Sequence, residues 1–294
     1  MIIDKFIYMS ELPEVETIRR DLSRKILNKK ISRVRVKTAR LVKNGLKFFT
    51  AELTSNQFIN IGRRGKLIYL QLKNAKFLLI HLKMTGQLIY QKNSELVAGG
   101  HSYASFDFKL PNKHSQVIFT FADQSELFFN DLRTFGYLQI VNAEQLSQVL
   151  NKYGIEPLTK EFSLSNFTKA LSGRKSTIKA LLLNQNIIAG IGNIYADEVC
   201  FYAGVLPSRV AGDLTKAEIK KLWQGIQTII RQAIRYRGTT FNDYRDANGN
   251  QGNFLKHLKV FHKNGQVCTR CGKVLIKKIK LAGRGTHFCP HCQS

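Results

Sequence analysis

The spacing of apolar residues is strand-like in most of the first half of the chain and helix-like in the second half. Residues 12–27 are an exception, because Pro13 suits a first helical turn and the apolar residues that follow recur at helical spacing. These residues are Val15, Ile18, Leu22 and Ile26. Between residues 31 and 141, short apolar runs separated by turn-forming residues predict an antiparallel β-sandwich. The predicted strands are ISRVRVK, KLIYLQL, KFLLIHL, QVIFTFA, ELFFNDL and YLQIV.

The second half begins with a predicted connector at residues 142–157 and continues with helical periods. The predicted helices are LSNFTKALS, TIKALLLN, NIYADEVCFYAG and KAEIKKLWQGIQTIIRQAIR. A polar, glycine-rich stretch at residues 244–252 predicts a mobile loop. A short cysteine-bearing tail follows this loop.

Charge narrows the class of partner. The chain has 46 Lys and Arg residues against 20 Asp and Glu residues, a formal net charge of +26. Residues 247–294 contain no Asp or Glu. A field of this sign and strength favours nucleic acid as the partner over a surface charged for solubility alone. A hydrophobic content of 44% indicates a folded protein.

The lengths of the apolar runs indicate the cellular compartment of the protein. None approaches the length of about 18 residues that a membrane span needs. The opening MIIDKFIYM is too short for the apolar region of a signal peptide, and it contains Asp4 and Lys5. We therefore expect a cytoplasmic protein without a membrane partner, and we expect it to act as a monomer. Disulfides are rare in that compartment, so the five cysteines indicate metal binding or packing.

Four cysteines near the end of the chain form two C-x-x-C pairs, which is the spacing of a four-thiolate zinc site. The predicted ligands are Cys268, Cys271, Cys289 and Cys292. Four sulfur ligands leave no open position, so we predict one structural Zn²⁺. The stretch between the pairs predicts a β-hairpin with Arg284 at its tip, where an arginine can hold a phosphate. Cys200 lies in an apolar segment and is predicted to be a core residue.

Seven stretches of the chain resemble formamidopyrimidine-DNA glycosylase, a bacterial family of enzymes that remove oxidised purines. They occur in one order and are ELPEVETIRR at 11–20, GRRGKLIYL at 62–70, HLKMTGQL at 81–88, KHSQV at 113–117, DLRTFG at 131–136, AGIGNIYADE at 189–198 and GRGTHFCPHCQ at 283–293. The resemblance covers nearly the whole chain from residue 11 onward. It implies an α+β fold with an N-terminal antiparallel β-sandwich, a helix–two-turn–helix domain and a C-terminal zinc-finger β-hairpin.

The resemblance and the residue pattern together predict five segments. These are an extension before the working start (1–9), a catalytic N-terminal helix with the β-sandwich (10–142), a helix–two-turn–helix DNA-binding domain (155–243), a mobile lesion-recognition loop (244–252) and a four-cysteine zinc finger (258–294).

The resemblance implies excision of oxidised purines, such as 8-oxoguanine and formamidopyrimidines, from damaged double-stranded DNA. It also implies an abasic-site lyase activity that cleaves the strand by β,δ-elimination through a Schiff base. The family uses the amine of its first mature residue as nucleophile, and the matching position here is Ser10. Glu11 matches the proton donor, Lys66 the lysine that assists elimination, and Arg284 the finger arginine that grips the phosphate beside the lesion.

Further residues match the family's DNA-binding positions. Met84, Arg133 and Phe135 match the side chains that fill the space left by a nucleotide flipped out of the duplex. Four others match phosphate contacts: His114, Arg174, Lys179 and Asn193.

The chain departs from the family pattern at its start, because Ser10 stands where the family has proline. We expect translation to start at Met9 and that methionine to be removed, so that Ser10 carries a free amine. Two alternatives remain open. A blocked N terminus would leave a catalytically silent protein that binds damaged DNA, and the scaffold also serves endonuclease-VIII-like glycosylases for oxidised pyrimidines. The wording LPEVET and the loop at 244–252 favour oxidised purines over pyrimidines.

Overall fold

The computed structural model describes residues 10–100, 109–239 and 254–294. These residues fall into two compact units. The described residues of the first unit are 10–100, 109–150 and 237–239. The second unit comprises residues 151–236 and 254–294. The predicted extension at residues 1–9 and the predicted loop at residues 244–252 lie outside the described residues, and the five segment boundaries stay predictions.

The first helix, α1 (Leu12–Ser23), buries the apolar face that its sequence predicts. It ends four residues earlier than expected. The amide of Arg24 donates to the carbonyls of Asp21 and Leu22, which closes the last helical turn. Leu27 then forms a bridge to Phe58 in place of a further turn.

The rest of the first unit, where the structure describes it, contains two antiparallel sheets and two short α-helices. The strands are β1 (Ile31–Val36), β2 (Phe58–Arg64), β3 (Leu67–Leu72), β4 (Phe77–His81), β5 (Gly86–Lys92), β6 (Glu95–Gly100), β7 (Ser115–Phe121), β8 (Glu126–Asp131) and β9 (Tyr137–Val141). The short helices are α2 (Leu46–Leu53) and α3 (Ala143–Leu150). One sheet has the order β1-β7-β8-β5-β6, and the other has the order β2-β3-β4-β9.

An apolar core lies between the two sheets. Alternate residues of a strand enter it, as Leu127 and Phe129 of β8 do, because side chains along a strand point to opposite faces. The opposing sheet contributes residues such as Leu70 and Ile80. Helix α1 contacts β2, β3 and β6 and adds Val15 to the same core. The predicted β-sandwich is confirmed.

The apolar pattern missed several elements of the first unit. The strands β2, β5 and β6 were not predicted, and helix α2 lies inside a range read as strands. β2 carries Asn60, Arg63 and Arg64, so its alternation of apolar residues is weak. In α2, Phe49 and Leu53 lie one helical turn apart and are both buried, which favours a helix over a strand.

The second unit confirms the predicted helices. They are α4 (Leu164–Leu171), α5 (Ile178–Leu183), α6 (Asn193–Ala203) and α7 (Lys216–Arg235). Helix α7 begins with a capping box in which the amide of Thr215 donates to Glu218 Oε2 at 2.7 Å. The structure describes no helix with the length and apolar character that crossing a membrane requires.

The predicted hairpin of the tail is also present, as β10 (Lys277–Leu281) and β11 (Arg284–Phe288). Ala282 and Gly283 form its two-residue turn, with φ of 49° and 70°. Positive φ at both positions is the geometry of a type I′ turn, which matches the twist of the paired strands. Arg284 is therefore the first residue after the turn.

Candidate functional site

The start of α1 is a buried polar site. Ser10 and Glu11 are each 2% exposed. The amide of Glu11 donates to Glu14 Oε2 at 2.9 Å, while Glu14 Oε1 accepts hydrogen bonds from the amide (2.8 Å) and hydroxyl (3.0 Å) of Thr239. Glu14 thus fixes the backbone beside Ser10. Sequence analysis did not single out Glu14, although a glutamate in a first turn surrounded by apolar positions was a usable signal.

Lys66 lies in the turn between β2 and β3 and is almost completely buried. The guanidinium of Arg63 donates to the carbonyl of Gly65 at 2.9 Å and holds this turn. Burial, together with the positive charges of Lys83 and Lys66, lowers the pKa of the neighbouring His81 to about 3. His81 Nδ1 accepts a hydrogen bond from the Lys83 amide, so in the neutral ring Nε2 carries the hydrogen. Sequence analysis missed His81.

Glu16 ties α1 to the strand that precedes Lys66. Its carboxylate accepts hydrogen bonds from Arg19, Arg20 and, at 3.1 Å, from Arg63 Nε on β2. Burial alone would raise the pKa of Glu16, but the three arginines outweigh burial and lower the pKa to about 2. Glu16 is therefore ionised at neutral pH.

Met84, Arg133 and Phe135 meet at the surface of the first unit, and we call them the surface cluster. Arg133 Nη1 lies 3.7 Å from Met84 Sδ, and its guanidinium carbon lies 4.6 Å from the centre of the Phe135 ring. Phe135 is 51% exposed, which is unusual for a phenylalanine. The three side chains form a thioether, guanidinium and aromatic surface that faces solvent.

His114 lies immediately before β7, close to the connection that carries Arg133. Its carbonyl accepts a hydrogen bond from the amide of Asp131 at 2.9 Å. Partial burial lowers the pKa of His114, and Lys113 and Lys37 add to the shift. The shift favours the neutral ring, which can contact a phosphate as a hydrogen-bond donor.

In the second unit, two predicted DNA-binding residues converge on the backbone beside Arg284. Asn193 Nδ2 and Lys179 Nζ each donate to the carbonyl of Gly285 at 3.1 Å. Asn193 is the first residue of α6, Lys179 lies on α5, and Arg284 itself is exposed. Arg284 thus projects from the first position of β11, and two helices hold the backbone next to it.

Lys179 is placed differently from a surface phosphate contact. Its side chain is completely buried, and its ammonium donates to Asp197 Oδ1 at 2.6 Å and to Thr286 Oγ1 at 2.8 Å as well as to Gly285. An ammonium has three donors, and all three are engaged. The buried position therefore gives Lys179 no direct route to a phosphate and suits it to supporting the finger.

Two consecutive acids of α6 were missed by sequence analysis. Asp197 Oδ2 accepts from the amide of His287 at 2.8 Å, and Glu198 accepts from the amides of Lys259, Val260 and Phe261. Both acids are buried. The pair Asp-Glu inside an otherwise apolar helix was the available signal, because buried carboxylates need partners.

Arg174 is the predicted phosphate contact that is most open to solvent. It lies in the connection between α4 and α5, and its side chain is exposed. The carbonyl of Arg174 accepts from the amide of Gly212 at 3.0 Å, and a Cβ at position 212 would lie 2.9 Å from that carbonyl oxygen. The glycine therefore lets the two backbones approach and fixes the connection.

The four predicted zinc ligands lie together. Their Sγ atoms are all within 4.8 Å of one another, and the pairs Cys268–Cys292 and Cys271–Cys289 are 3.9 Å apart. Thiolates bound tetrahedrally about 2.3 Å from a zinc ion are about 3.8 Å apart. The cysteines therefore fit one zinc ion and leave no position for a catalytic water. Cys200 is a fully buried core residue, as predicted.

Three family models match the chain in the order of its elements. Residues 9–138 match the formamidopyrimidine-DNA glycosylase N-terminal domain, residues 153–245 match the H2TH domain of the same enzyme, and residues 265–294 match the zinc finger found in FPG and IleRS. The chain belongs to the formamidopyrimidine-DNA glycosylase family.

Relatives of this family are similar over nearly the full length. Formamidopyrimidine-DNA glycosylase from Desulfitobacterium hafniense is 41% identical over 288 residues, which cover 97% of this chain and 100% of the relative. The enzyme from Carboxydothermus hydrogenoformans is 42% identical over 287 residues, with the same coverage. The chain is therefore a DNA glycosylase of base-excision repair.

Solved structures agree with this assignment. A Lactococcus lactis FPG mutant in complex with a Fapy-dG containing DNA superposes with a TM-score of 0.84 at 34% identity, over 96% of this chain and 99% of that one. The L. lactis Fpg in complex with an abasic site containing DNA superposes with the same values. The family finger and the four-cysteine cluster together establish one structural zinc ion.

The predicted catalytic residues of this glycosylase are divided between the two units. Ser10, Glu11 and Lys66 belong to the first unit, whereas Arg284 belongs to the second. Within the first unit, α1 contacts β2 and β3, the strands that flank Lys66.

Proposed function

We propose that this protein excises oxidised purines from double-stranded DNA and then cleaves the strand at the abasic site. The observation that carries the proposal is the surface cluster. Extruding a damaged nucleotide leaves a gap in the base stack, and a thioether, a guanidinium and an aromatic ring can replace the lost stacking. Exposed Phe135 has no role in the core that would explain its position.

Two further observations support the damaged base and the abasic site as substrates. The similar L. lactis proteins are bound to a Fapy-dG containing DNA and to an abasic site containing DNA. The formal net charge of +26 suits a polyanionic duplex. With such a substrate, we expect the protein to act in the cytoplasm, at the nucleoid of a bacterium.

The nucleophile that we propose is the α-amine of Ser10, which is exposed when translation starts at Met9 and that methionine is removed. An α-amine has a pKa of about 8 against about 10.4 for a lysine, so roughly a tenth of it is neutral at pH 7. Ser10 is buried beside Glu11 at the positive end of α1, and this end of a helix disfavours protonation of the amine. A serine amine forms an imine where a proline forms an iminium, so the lyase step remains available.

The reaction balances with the residues in place. The Ser10 nitrogen forms a bond to the sugar C1′ as the bond from C1′ to the base breaks, and the base leaves with a proton from the Glu11 carboxyl group. The bond between C1′ and O4′ then breaks, O4′ takes up the proton that the Ser10 nitrogen gives up, and the protonated Schiff base forms. Removal of a proton from C2′ expels the 3′ phosphate, a second elimination expels the 5′ phosphate, and hydrolysis restores the amine.

We assign the remaining residues by position. Lys66 assists the elimination from its buried turn, and Arg284 holds the phosphate beside the lesion. Arg174, Asn193 and His114 bind phosphates along the duplex. Lys179 acts indirectly, by supporting the Gly285 carbonyl next to Arg284.

Borohydride trapping on a duplex containing 8-oxoguanine tests the nucleophile. Two versions of the protein are compared, one beginning at Met1 and one at Met9, each with its N terminus verified by mass. We expect a covalent adduct only from the version that begins at Met9, mapped to the Ser10 amine. The same protein with the Ser10 amine acetylated is the matched control and should give no adduct.

The other outcomes separate the alternatives. Equal trapping by an intact Met1 protein would exclude Ser10 and direct attention to Lys66. Binding without trapping by either version would favour a silent damaged-DNA-binding protein. Excision of thymine glycol in preference to 8-oxoguanine would favour an endonuclease-VIII-like activity on oxidised pyrimidines.

A further inference from the structure

The surface cluster is held together by residues outside it. Met84 comes from the connection between β4 and β5, whereas Arg133 and Phe135 come from the connection between β8 and β9, 49 residues further along the chain. Arg133 and Phe135 are exposed, so core packing does not fix them. Something else must hold the two connections in one arrangement.

Asp131, the last residue of β8, bridges the two connections. It is fully buried. Its Oδ1 accepts hydrogen bonds from the Thr85 hydroxyl and, at 3.2 Å, from the amide of Arg133. Its Oδ2 accepts from the amide of Gly136 at 2.8 Å. One carboxylate therefore closes the connection that carries Arg133 and Phe135 and joins it to the connection that carries Met84.

Thr85 completes the bridge. Thr85 follows Met84 in the chain, and its side chain is fully buried. It donates to Asp131 and accepts from the amide of Arg133 at 3.0 Å. Both roles need a hydroxyl group, which serine keeps and valine lacks.

Asp131 is itself held in place by residues at the beginning of β7 and just before it. The amide of Asp131 donates to the carbonyl of His114 at 2.9 Å, and Gln116 Nε2 donates to the carbonyl of Asp131 at 3.1 Å. The connection between β8 and β9 is closely packed at Gly136, because a Cβ there would lie 2.6 Å from the Phe129 ring and 3.1 Å from Asp131 Oδ2. The connection therefore has little freedom to rearrange around the carboxylate.

We propose that Asp131 and Thr85 are positioning residues that preorganise the surface cluster for the gap left by the flipped nucleotide. Neither residue contacts the substrate in this role, which rests on the proposed function. Side chains that are already ordered lose less conformational freedom on binding, so the preorganised cluster binds the gapped duplex more tightly than a loose one. We call the hydrogen-bonded pair of Asp131 and Thr85 the clamp. Undamaged duplex offers no gap, so its binding does not depend on the clamp.

The test uses the version of the protein that begins at Met9, the start that we propose. Dissociation constants are measured for an undamaged duplex and for one that contains a tetrahydrofuran abasic-site analogue, which the enzyme cannot cleave. We expect Thr85→Val to weaken preference for the gapped duplex about 10- to 100-fold, the range for losing a hydrogen bond to a charged group. Thr85→Ser should restore that preference. Thr120→Val is the matched control, because its hydroxyl donates to Glu126 at 3.0 Å on the same sheet, away from the cluster.

A double-variant cycle separates positioning from general damage to the fold. If Thr85 acts through Arg133, Thr85→Val should add little to the loss caused by Arg133→Ala. Losses that multiply fully in the double variant, or wild-type preference in Thr85→Val, would overturn the proposal. Asp131→Asn should behave like Thr85→Val if it folds. If it does not fold, the Thr85 series decides.

Hydrogen exchange of the free protein tests the clamp without DNA. Thr85→Val should speed exchange of the Arg133 amide while leaving the β8 amides protected. Unchanged exchange at Arg133 would contradict the clamp. Failure of the wild type to excise 8-oxoguanine would instead count against the proposed function, and the exchange result would still judge the clamp.

Discussion

The Lys179 ammonium lies 2.6 Å from the Asp197 carboxylate, and neither side chain is exposed. This pair joins α5 to α6, and the same ammonium reaches the carbonyl of Gly285 beside Arg284. A buried ion pair of this kind costs desolvation on both sides, so its main consequence is that neither partner can be removed alone.

Removing one charge should therefore destabilise the second unit more than removing both. We expect Lys179→Met to lower the free energy of unfolding by about 3–5 kcal/mol, because Asp197 is left buried without its counter-ion. The double variant Lys179→Met, Asp197→Asn should recover part of this loss, since Asn keeps a carbonyl for the His287 amide. Urea unfolding with zinc bound provides the measurement. A double variant less stable than the single one would contradict this account.

Salt dependence should distinguish Lys179 from a true phosphate contact. Arg174→Ala should weaken binding to damaged and undamaged duplex alike and reduce the slope of log Kd against log salt by about 1. The Lys179→Met, Asp197→Asn variant should keep the wild-type slope, because a fully buried ammonium releases no counter-ion. Fluorescence anisotropy over a range of salt concentrations measures both. A reduced slope in the Lys179 variant would mean that this residue reaches a phosphate after all.

Loss of one zinc ligand should remove the metal and the finger together. Cys271→Ser is expected to contain no stoichiometric zinc and to lose DNA binding, because folding of a small four-thiolate unit is coupled to its metal. Cys200→Ala, which alters the one cysteine outside the cluster, should keep one zinc per chain. Metal analysis and DNA binding are measured on the same preparations. Full activity in a metal-free preparation is the result that this prediction forbids.

Glu16 should make the first unit sensitive to acid. Its pKa in the folded protein is about 2 against an ordinary value of 4.5, so its contribution to stability is complete above about pH 4.5 and is lost as pH falls towards 2. Glu16→Gln should therefore destabilise the protein most at neutral pH, and the difference from wild type should shrink below pH 4.5. Unfolding by urea at several pH values gives the measurement, with Glu144→Gln, at an exposed position on α3, as control. A difference that grows as the pH falls would reverse the assigned sign.

Local patterns in the sequence determined the parts of this protein that depend on near neighbours. The spacing of Cys268, Cys271, Cys289 and Cys292 predicted the zinc site, because two C-x-x-C pairs suffice for a tetrahedral ion. Helical periods predicted α4 to α7, and strand alternation predicted the sandwich. The ordered motifs identified the family. Ser10 as nucleophile stays a prediction.

Only the tertiary structure decided which side chains meet and which are buried. Lys179 reads as a surface cation in the sequence, but α6 and β11 enclose it and supply its three acceptors. Met84 and Arg133 meet across 49 residues, and the Asp131 bridge that holds them depends on the register of β5 against β8. The physical reason is that burial and long-range hydrogen bonds are set by the packing of whole elements, which residue spacing does not specify.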